Sequence, residues 1–329
     1  MSRVAAIDCG TNSIRMLIAD VGSREGETPL LRDVHREMRV VRLGQGVDAT
    51  GTLAPEALRR TEAALRDYAS TAAGKGVVRL RMVATSAMRD VANRDEFFAM
   101  TSRLLGAPAE VISGEEEALL SFTGAVADAS PDEGPFLVVD VGGGSTELVL
   151  GQWCDGAARV QASHSVDIGC VRLTERALAG DPPSESSVAE ASALVTELLA
   201  PAFEAVPVAK AATWIGVAGT VTTLSALAMR LPTYDAARIH NSVLSAGQIS
   251  AISAELLAMP RAERAQLGAM HPGRVDVIGG GALVVRVLAE QLAERAGITE
   301  LRVSEHDILD GIALSLGRGG HADTAGHER

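Results

Sequence analysis

The chain has 329 residues, of which 47% are hydrophobic, and its formal net charge at pH 7 is -12. This length exceeds what one ordinary hydrophobic core needs and predicts two domains. The acidic charge argues against a nucleic-acid binder, whose affinity comes from Lys and Arg, and the lack of a signal peptide or of an apolar run of roughly 18 residues predicts a cytoplasmic protein without membrane contact.

The first part of the chain is predicted to alternate strands with helices. The predicted strands cover 3–9, 14–21, 36–43, 78–84 and 110–113. One helix covers 52–70 with Pro55 in its first turn, and a second follows Asn93, which we expect to be its N-cap with Glu96 three residues on. A third helix is predicted to start at Ser113.

The polar segment 128–135 is the predicted domain boundary, and after it the pattern restarts. The predicted elements are strands over 136–141, 146–153, 159–168 and 212–219, a helix over 181–206, a glycine turn leading into a helix over 275–297, and a strand with a short helix over 301–317. The tail, 317–329, is expected to be disordered. Both halves open with strand, glycine turn and strand, which predicts an internal duplication and two similar α/β domains facing each other across a cleft.

The pattern Asp-x-Gly-x-x-Ser occurs at residues 8–13 and again at 140–145. Neither copy is a P-loop or a dinucleotide fingerprint, because each turn runs into another strand instead of a helix. Such turns could be ordinary hairpins in which Gly supplies a positive φ. Their repetition at the head of each half favours a phosphate-binding nest of N–H groups with a metal-binding carboxylate beside it.

Gly219 and Thr220 come where a strand gives way to a helix, a position that suits phosphate groups at the helix N-terminus. Residues 276–288 repeat this pattern. Close packing of a helix on a sheet also selects glycine, so each of these segments is a weak signal alone.

Three consecutive glutamates follow Ser113. A capping box formed by Ser113 and Glu116, with Glu115 and Glu117 complementing the helix dipole, accounts for all of them. Alternatively, one glutamate takes a proton from a water that attacks phosphorus, and spacing does not say which. Arg89, at a loop edge, is either solvated or an anion clamp. Cys9, Cys154 and Cys170 fit no metal spacing and are predicted to be reduced thiols.

Seven segments, in order, resemble the exopolyphosphatase and guanosine pentaphosphate phosphohydrolase family. They are AAIDCGTNSIRMLIAD, VATSAMRD, VISGEEEALL, VVDVGGGSTELVLG, SVDIGCVRLTE, GVAGTVTTLSAL and DVIGGGALVV, and the resemblance covers roughly residues 3–316. It implies an α/β fold of two duplicated ribonuclease H-like (actin-like ATPase) domains with an interdomain cleft. Domain I would contain 1–127 and about 303–329, and domain II 128–302.

The resemblance also implies a hydrolase acting on phosphoric anhydrides, which removes the terminal phosphate of inorganic polyphosphate or the 5′ γ-phosphate of pppGpp with Mg2+ or Mn2+. Glu117 would be the general base, and Asp140, Glu147 and Asp8 would hold the metal ion. Phosphates would be bound by Thr11, Asn12, Ser13, Arg89, Gly142, Gly143, Gly144, Ser145, Gly219 and Thr220.

Several alternatives remain at this point. Many family members continue with further helical domains, so a chain of 329 residues is expected to prefer short polyphosphate. A second hypothesis is a phosphohydrolase of pppGpp or ATP, and a third is a non-catalytic sensor of polyphosphate or (p)ppGpp. An actin-like filament or chaperone is disfavoured because the sequence shows no apolar peptide-binding extension. The family resemblance also suggests a homodimer.

Overall fold

Two mixed β-sheets form the centre of the protein. The computed structural model describes residues 1–22, 30–84, 91–154 and 156–318, and every count below refers to these ranges. The first sheet contains β1 (Ser2–Cys9), β2 (Ser13–Gly22), β3 (Leu30–Val40), β4 (Arg79–Ala84) and β5 (Glu110–Val111), in the spatial order β3-β2-β1-β4-β5. The second contains β6 (Phe136–Val141), β7 (Thr146–Cys154), β8 (Ala157–Val166), β9 (Thr213–Val217), β10 (Val243–Ser245) and β11 (Glu300–Val303), in the order β10-β11-β9-β6-β7-β8.

The two sheets repeat one topology. In each, the first three strands form an antiparallel meander, and the first strand also pairs in parallel with the fourth, β1 with β4 and β6 with β9. The predicted duplication is thus observed. The third strand of the first sheet begins at Leu30, six residues before its predicted start at 36. The prediction missed its first half because this part lies at an exposed sheet edge and lacks an apolar pattern.

Twelve helices cover the sheets. They are α1 (Val47–Thr50), α2 (Pro55–Gly74), α3 (Arg94–Leu105), α4 (Gly114–Val126), α5 (Cys170–Ala177), α6 (Glu185–Ala205), α7 (Ala218–Ala228), α8 (Ala236–Ile239), α9 (Ala246–Ala258), α10 (Arg261–Arg264), α11 (Ile278–Ala296) and α12 (Ile308–Arg318). In the described residues no helix is both long and apolar enough to cross a bilayer. All three cysteines are free thiols, as predicted.

Two local predictions are wrong. Asn93 precedes α3 but its side chain does not cap that helix, since Asn93 Oδ1 accepts the N–H of Leu53 at 2.8 Å and thereby fixes the loop before α2. Residues 279–281 are not a turn before a helix but belong to the first turns of α11. A Cβ on Gly280 would lie 2.8 Å from the carbonyl oxygen of Cys170, so close packing explains that glycine. The predicted disordered tail starts at 317, but Gly317 and Arg318 are the last residues of α12; the rest of the predicted tail, 319–329, lies outside the described ranges.

Helices α4 and α12 lie between the two sheets and cross each other at two glycines. Helix α4 contacts β6, β7 and β8, whereas α12, although it follows the last strand of the second sheet, contacts β1 and β2 of the first. A Cβ on Gly124 would lie 1.8 Å from the carbonyl oxygen of Asp307, and one on Gly311 would lie 1.9 Å from that of Leu120. Only glycine permits these backbones to approach so closely, so the crossing fixes how the two sheets are joined.

We expect Gly124→Ala to lower the free energy of unfolding by about 1–3 kcal/mol or more, because the added methyl group must displace main chain of α12. Urea unfolding followed by circular dichroism measures this change. Gly114→Ala, in the first turn of the same helix, is the matched control, since a Cβ there meets no atom within 4 Å. Equal stability of both variants would show that the crossing is not tightly packed.

Candidate active site

Two hairpin turns, 10–13 and 142–145, form opposite walls of a narrow cleft. Each turn is closed by a hydrogen bond of 3.0 Å from the N–H of its glycine to the carbonyl of its serine, Gly10 to Ser13 and Gly142 to Ser145. The turns nearly touch, because a Cβ on Gly144 would lie 2.9 Å from Thr11 Oγ1. A larger residue in place of Gly144 would therefore close the cleft from within.

The carbonyl groups of both turns are held from outside the cleft. Those of residues 11–12 accept N–H groups of 41–44, and those of 142–143 accept N–H groups of 170–172, all at 2.8–3.2 Å. Within the two turns as the structure describes them, the main-chain N–H groups of Thr11, Asn12, Gly143 and Gly144 have no acceptor. Main-chain N–H groups arranged around a concave surface are suited to anions.

Thirteen of the fourteen site residues predicted from the sequence line this cleft. They are Asp8, Thr11, Asn12, Ser13, Glu117, Asp140, Gly142, Gly143, Gly144, Ser145, Glu147, Gly219 and Thr220. The remaining one, Arg89, lies outside the described residues. The sequence thus identified side chains that the fold brings together, although their chemical roles stay predictions.

A buried arginine organises the carboxylates of the cleft. Arg15 donates from Nε at 3.1 Å and from Nη2 at 2.6 Å to Asp8 Oδ2, and its Nη1 pairs with Asp307. Burial raises the pKa of Asp8, although Arg15 opposes this change. Burial raises the pKa of Asp140 well above its usual value, and the neighbouring Glu147 and Asp307 add to the rise. This concentration of negative charge is costly in isolation and favours a bound cation.

The oxygen atoms present fit a hard divalent cation. Asp8 Oδ1 is buried and has no hydrogen-bond partner among the described residues. Buried oxygen atoms nearly always have a partner, so this atom is a candidate ligand for a bound cation. Asp140 and Glu147 supply further carboxylate oxygens, of which Glu147 Oε1 also accepts the hydroxyl of Ser165 at 3.0 Å. Carboxylate oxygens are the ligands that Mg2+ and Mn2+ prefer.

The structure separates the three glutamates of α4. Ser113 Oγ accepts the N–H of Glu116 at 3.1 Å and caps the helix as predicted. The second half of the predicted capping box is wrong, because the Glu116 carboxylate pairs outward with Arg81 instead of returning to Ser113. Glu115 is exposed, whereas Glu117 is 8% exposed and lines the cleft. Glu117 alone among the three thus faces the site.

Sequence reasoning missed Arg274, a cation on the wall of the cleft. A Cβ on Gly219 would lie 1.9 Å from Arg274 Nη2, so the guanidinium rests directly on the main chain where α7 begins. Burial lowers the pKa of Arg274, and no carboxylate in the described residues pairs with it; its Nη1 donates to Thr223 Oγ1 at 3.1 Å. Ala218, the residue before Gly219, has φ +68. This backbone conformation is strained for residues other than glycine, and such strain often occurs at functional sites.

A second cluster lies apart from the cleft-lining residues. His240 Nε2 and Asp128 Oδ2 are 2.8 Å apart, and His306 Nδ1 is 3.5 Å from the same oxygen. His240 Nδ1 accepts the N–H of Glu305 at 3.2 Å, so its Nε2 carries the proton toward Asp128. A metal-bound histidine instead donates its other ring N–H. The cluster is therefore a set of polar contacts that connects the segments after α4 and α8 with the segment before α12.

Comparison with known proteins identifies the family to which the chain belongs. Residues 17–316 match the model of the Ppx/GppA phosphatase family. The chain is 59% identical to exopolyphosphatase 2 of Mycobacterium tuberculosis over 96% of this chain and 99% of that protein. It is 31% identical to the guanosine-5'-triphosphate,3'-diphosphate pyrophosphatase of Aeromonas salmonicida over 88% of this chain and 55% of that protein. A solved exopolyphosphatase-like protein has a TM-score of 0.89 at 47% identity, covering 96% of this chain and 98% of its own.

The chain belongs to the Ppx/GppA phosphatase family. The resemblance seen in the sequence is thereby confirmed, as is the α/β fold of two duplicated, ribonuclease H-like halves found in actin-like ATPases.

We expect Asp140→Asn to raise the stability of the metal-free protein at pH 8. Folding raises the pKa of Asp140, so its carboxyl group destabilises the folded state at pH values above its pKa in the unfolded chain. The stability gained by Asp140→Asn should therefore fade as the pH falls toward that unfolded pKa, about 4. Thermal unfolding in EDTA measures it. Asp20→Asn should have the opposite sign, because Arg3 and Arg32 hold the pKa of Asp20 below its usual range. A destabilised Asp140→Asn protein in EDTA would contradict the charge analysis.

Proposed function

We propose that this protein is an exopolyphosphatase that hydrolyses the terminal phosphoanhydride bond of linear, short-chain inorganic polyphosphate. The observation that carries the proposal is the pair of opposed hairpin turns, which present main-chain N–H groups from both walls of one cleft. A linear polyanion offers phosphate oxygens on all sides, so two facing nests suit it better than one. The 59% identity to an exopolyphosphatase supports this choice.

Arg274, Gly219 and Thr220 extend the anion-binding wall beyond the turns. The Arg274 guanidinium is desolvated and lacks an acidic partner in the described ranges, so a phosphate group would supply the charge that the protein does not. The N-terminus of α7, next to it, adds the positive end of a helix dipole. These groups would hold the phosphates that follow the one being removed.

Asp8, Asp140 and Glu147 would hold Mg2+ or Mn2+. When bound, the ion supplies neutralisation of charge on the transferred phosphoryl group, which is much of what such catalysis requires. Asp8 would contribute its orphan Oδ1, since its Oδ2 is engaged by Arg15.

Glu117 would be the general base. Its carboxylate, buried at the start of α4 beside the cleft, would accept the proton of a water that attacks the terminal phosphorus. The new bond joins the water oxygen to phosphorus, the bridging P–O bond breaks, and the electron pair leaves with the shortened polyphosphate. The products are orthophosphate and a chain shorter by one phosphate.

A nucleotide substrate such as pppGpp is the second candidate, and one feature favours it. A cavity of about 580 Å³ adjoins the cleft at Arg15, Gly219 and Arg274, and its lining includes Met38, Tyr234, Met270 and Pro272. Such a surface is suited to an aromatic base more than to a polyanion. The identity to a guanosine-5'-triphosphate,3'-diphosphate pyrophosphatase supports this reading.

The domain limits, 1–127 with about 303–329 and 128–302, also stay predictions, and the packing of α12 on the first sheet supports them. A cytoplasmic location is likewise a prediction from the sequence, and a homodimer is a prediction from the family resemblance alone. A sensor without turnover is less favoured, because the proposed base and the proposed metal ligands all face the cleft.

We expect Glu117→Gln to reduce phosphate release from short polyphosphate by at least about 100-fold, since general base catalysis contributes at least that much. Glu115→Gln, the exposed neighbour on α4, should keep wild-type activity. Phosphate release is measured with Mg2+ from short polyphosphate, long polyphosphate, pppGpp and ATP.

Full activity of Glu117→Gln would refute its role as base. Release from pppGpp with none from polyphosphate would move the assignment to the nucleotide. Binding of polyphosphate without release from any of the four substrates would favour the sensor.

A further inference from the structure

Asp307 divides its two carboxylate oxygens between a helix and the active-site cleft. It directly precedes α12, and its Oδ1 accepts the N–H of Leu309 at 3.0 Å, as a helix cap does. Its Oδ2 pairs with Nη1 of Arg15. The side chain is 5% exposed, so both contacts are made away from water. Arg15 and Arg36 outweigh the effect of burial and leave the pKa of Asp307 below its usual value.

Arg15 transmits this contact to Asp8. Its Nε and Nη2 both donate to Asp8 Oδ2, which prevents the carboxylate from turning that oxygen toward the cleft. The atom left without a partner among the described residues is Asp8 Oδ1. The chain of contacts from α12 through Asp307 and Arg15 thus selects which oxygen of Asp8 can bind a ligand.

We propose that Asp307 is a positioning residue, which acts through Arg15 to orient Asp8 toward the divalent cation of the proposed exopolyphosphatase. The inference rests on the proposed function for the presence of that cation. Asp307 also places its carbonyl oxygen against Gly124 of α4, the helix that carries Glu117. Asp307 therefore orients the Asp8 carboxylate proposed to bind the metal ion, and it also contacts the helix that carries Glu117, the proposed base.

The charges explain why Asp307 matters to a cation. Arg15 lies among Asp8, Asp307 and Asp140, all of which favour its charged form. Without the Asp307 carboxylate, Arg15 would be neutralised mainly by Asp8, and a divalent cation would have to compete with the guanidinium for the same side chain. Residues that orient a metal ligand typically change metal affinity by about 10–100-fold when mutated.

The test is Mn2+ binding to the full-length protein without substrate, measured by electron paramagnetic resonance of free Mn2+. We expect Asp307→Asn to raise the Kd for Mn2+ by about 10–100-fold. Asp310→Asn is the matched control, because Asp310 lies on the same helix, is 2% exposed and pairs with Arg36 instead of Arg15. Asp310 Oδ2 accepts the main-chain N–H of Asp307 at 2.9 Å, and the amide oxygen of asparagine can still accept it. Its Kd should equal that of the wild type. In phosphate-release assays, saturating Mn2+ should restore kcat in Asp307→Asn, so that the defect appears in the metal requirement.

Equal Kd values for wild type and Asp307→Asn, an equal loss in both variants, or no Mn2+ binding by the wild type would each overturn the proposal. If Asp307→Asn does not fold, Asp307→Ser replaces it, because serine can still cap α12 but cannot pair with Arg15. Since the binding measurement contains no substrate, a different substrate preference would refute the proposed function and leave this result standing.

Discussion

The structure depends on the near contact of two hairpin turns, 10–13 and 142–145. Each turn begins where the first strand of its sheet ends, so the position of one turn relative to the other is set by how the two sheets are joined. That joint is the crossing of α4 and α12 at Gly124 and Gly311. The cleft is therefore a product of helix packing at some distance from the turns as well as of the turns themselves.

The charge of the cleft follows from the same duplication. Each first strand has an aspartate as its next-to-last residue. Packing of the two halves brings Asp8 and Asp140 together with Glu147 and Asp307 in one poorly solvated place. Arg15 compensates part of this charge. Such a concentration of carboxylates lowers stability in the free protein, and proteins retain it where a ligand needs it. The cost of folding and the ability to bind a cation thus come from the same residues.

Most of the fold could be predicted because its signals are local. Both hairpins, with Asp, Gly and Ser at equal spacing, are visible in the sequence, and so are the strands and helices with clear apolar periodicity. The prediction that Asn93 caps α3 was wrong because its side chain instead makes a tertiary hydrogen bond with Leu53. Arg274, which lines the cleft, and Asp307, which contacts Arg15, were missed because they lie more than 250 residues after the first turn and no local pattern marks them. The contact of Arg15 with Asp8 could have been predicted, since the short turn places the two residues opposite each other in the hairpin.

The reliance on main-chain N–H groups in the two turns has a consequence for how this site can evolve. Among substitutions only proline removes a main-chain donor, and at Gly144 a side chain would intrude on Thr11 instead of adding a new contact. The part of the cleft that grips phosphate is therefore nearly fixed in chemistry. We therefore expect selectivity among phosphate compounds to change at the rim, where Arg274 and the adjoining cavity with Tyr234 and Met270 would contact the part of the substrate beyond the bound phosphates. Homologues with different substrates should consequently share the turns and differ around that cavity.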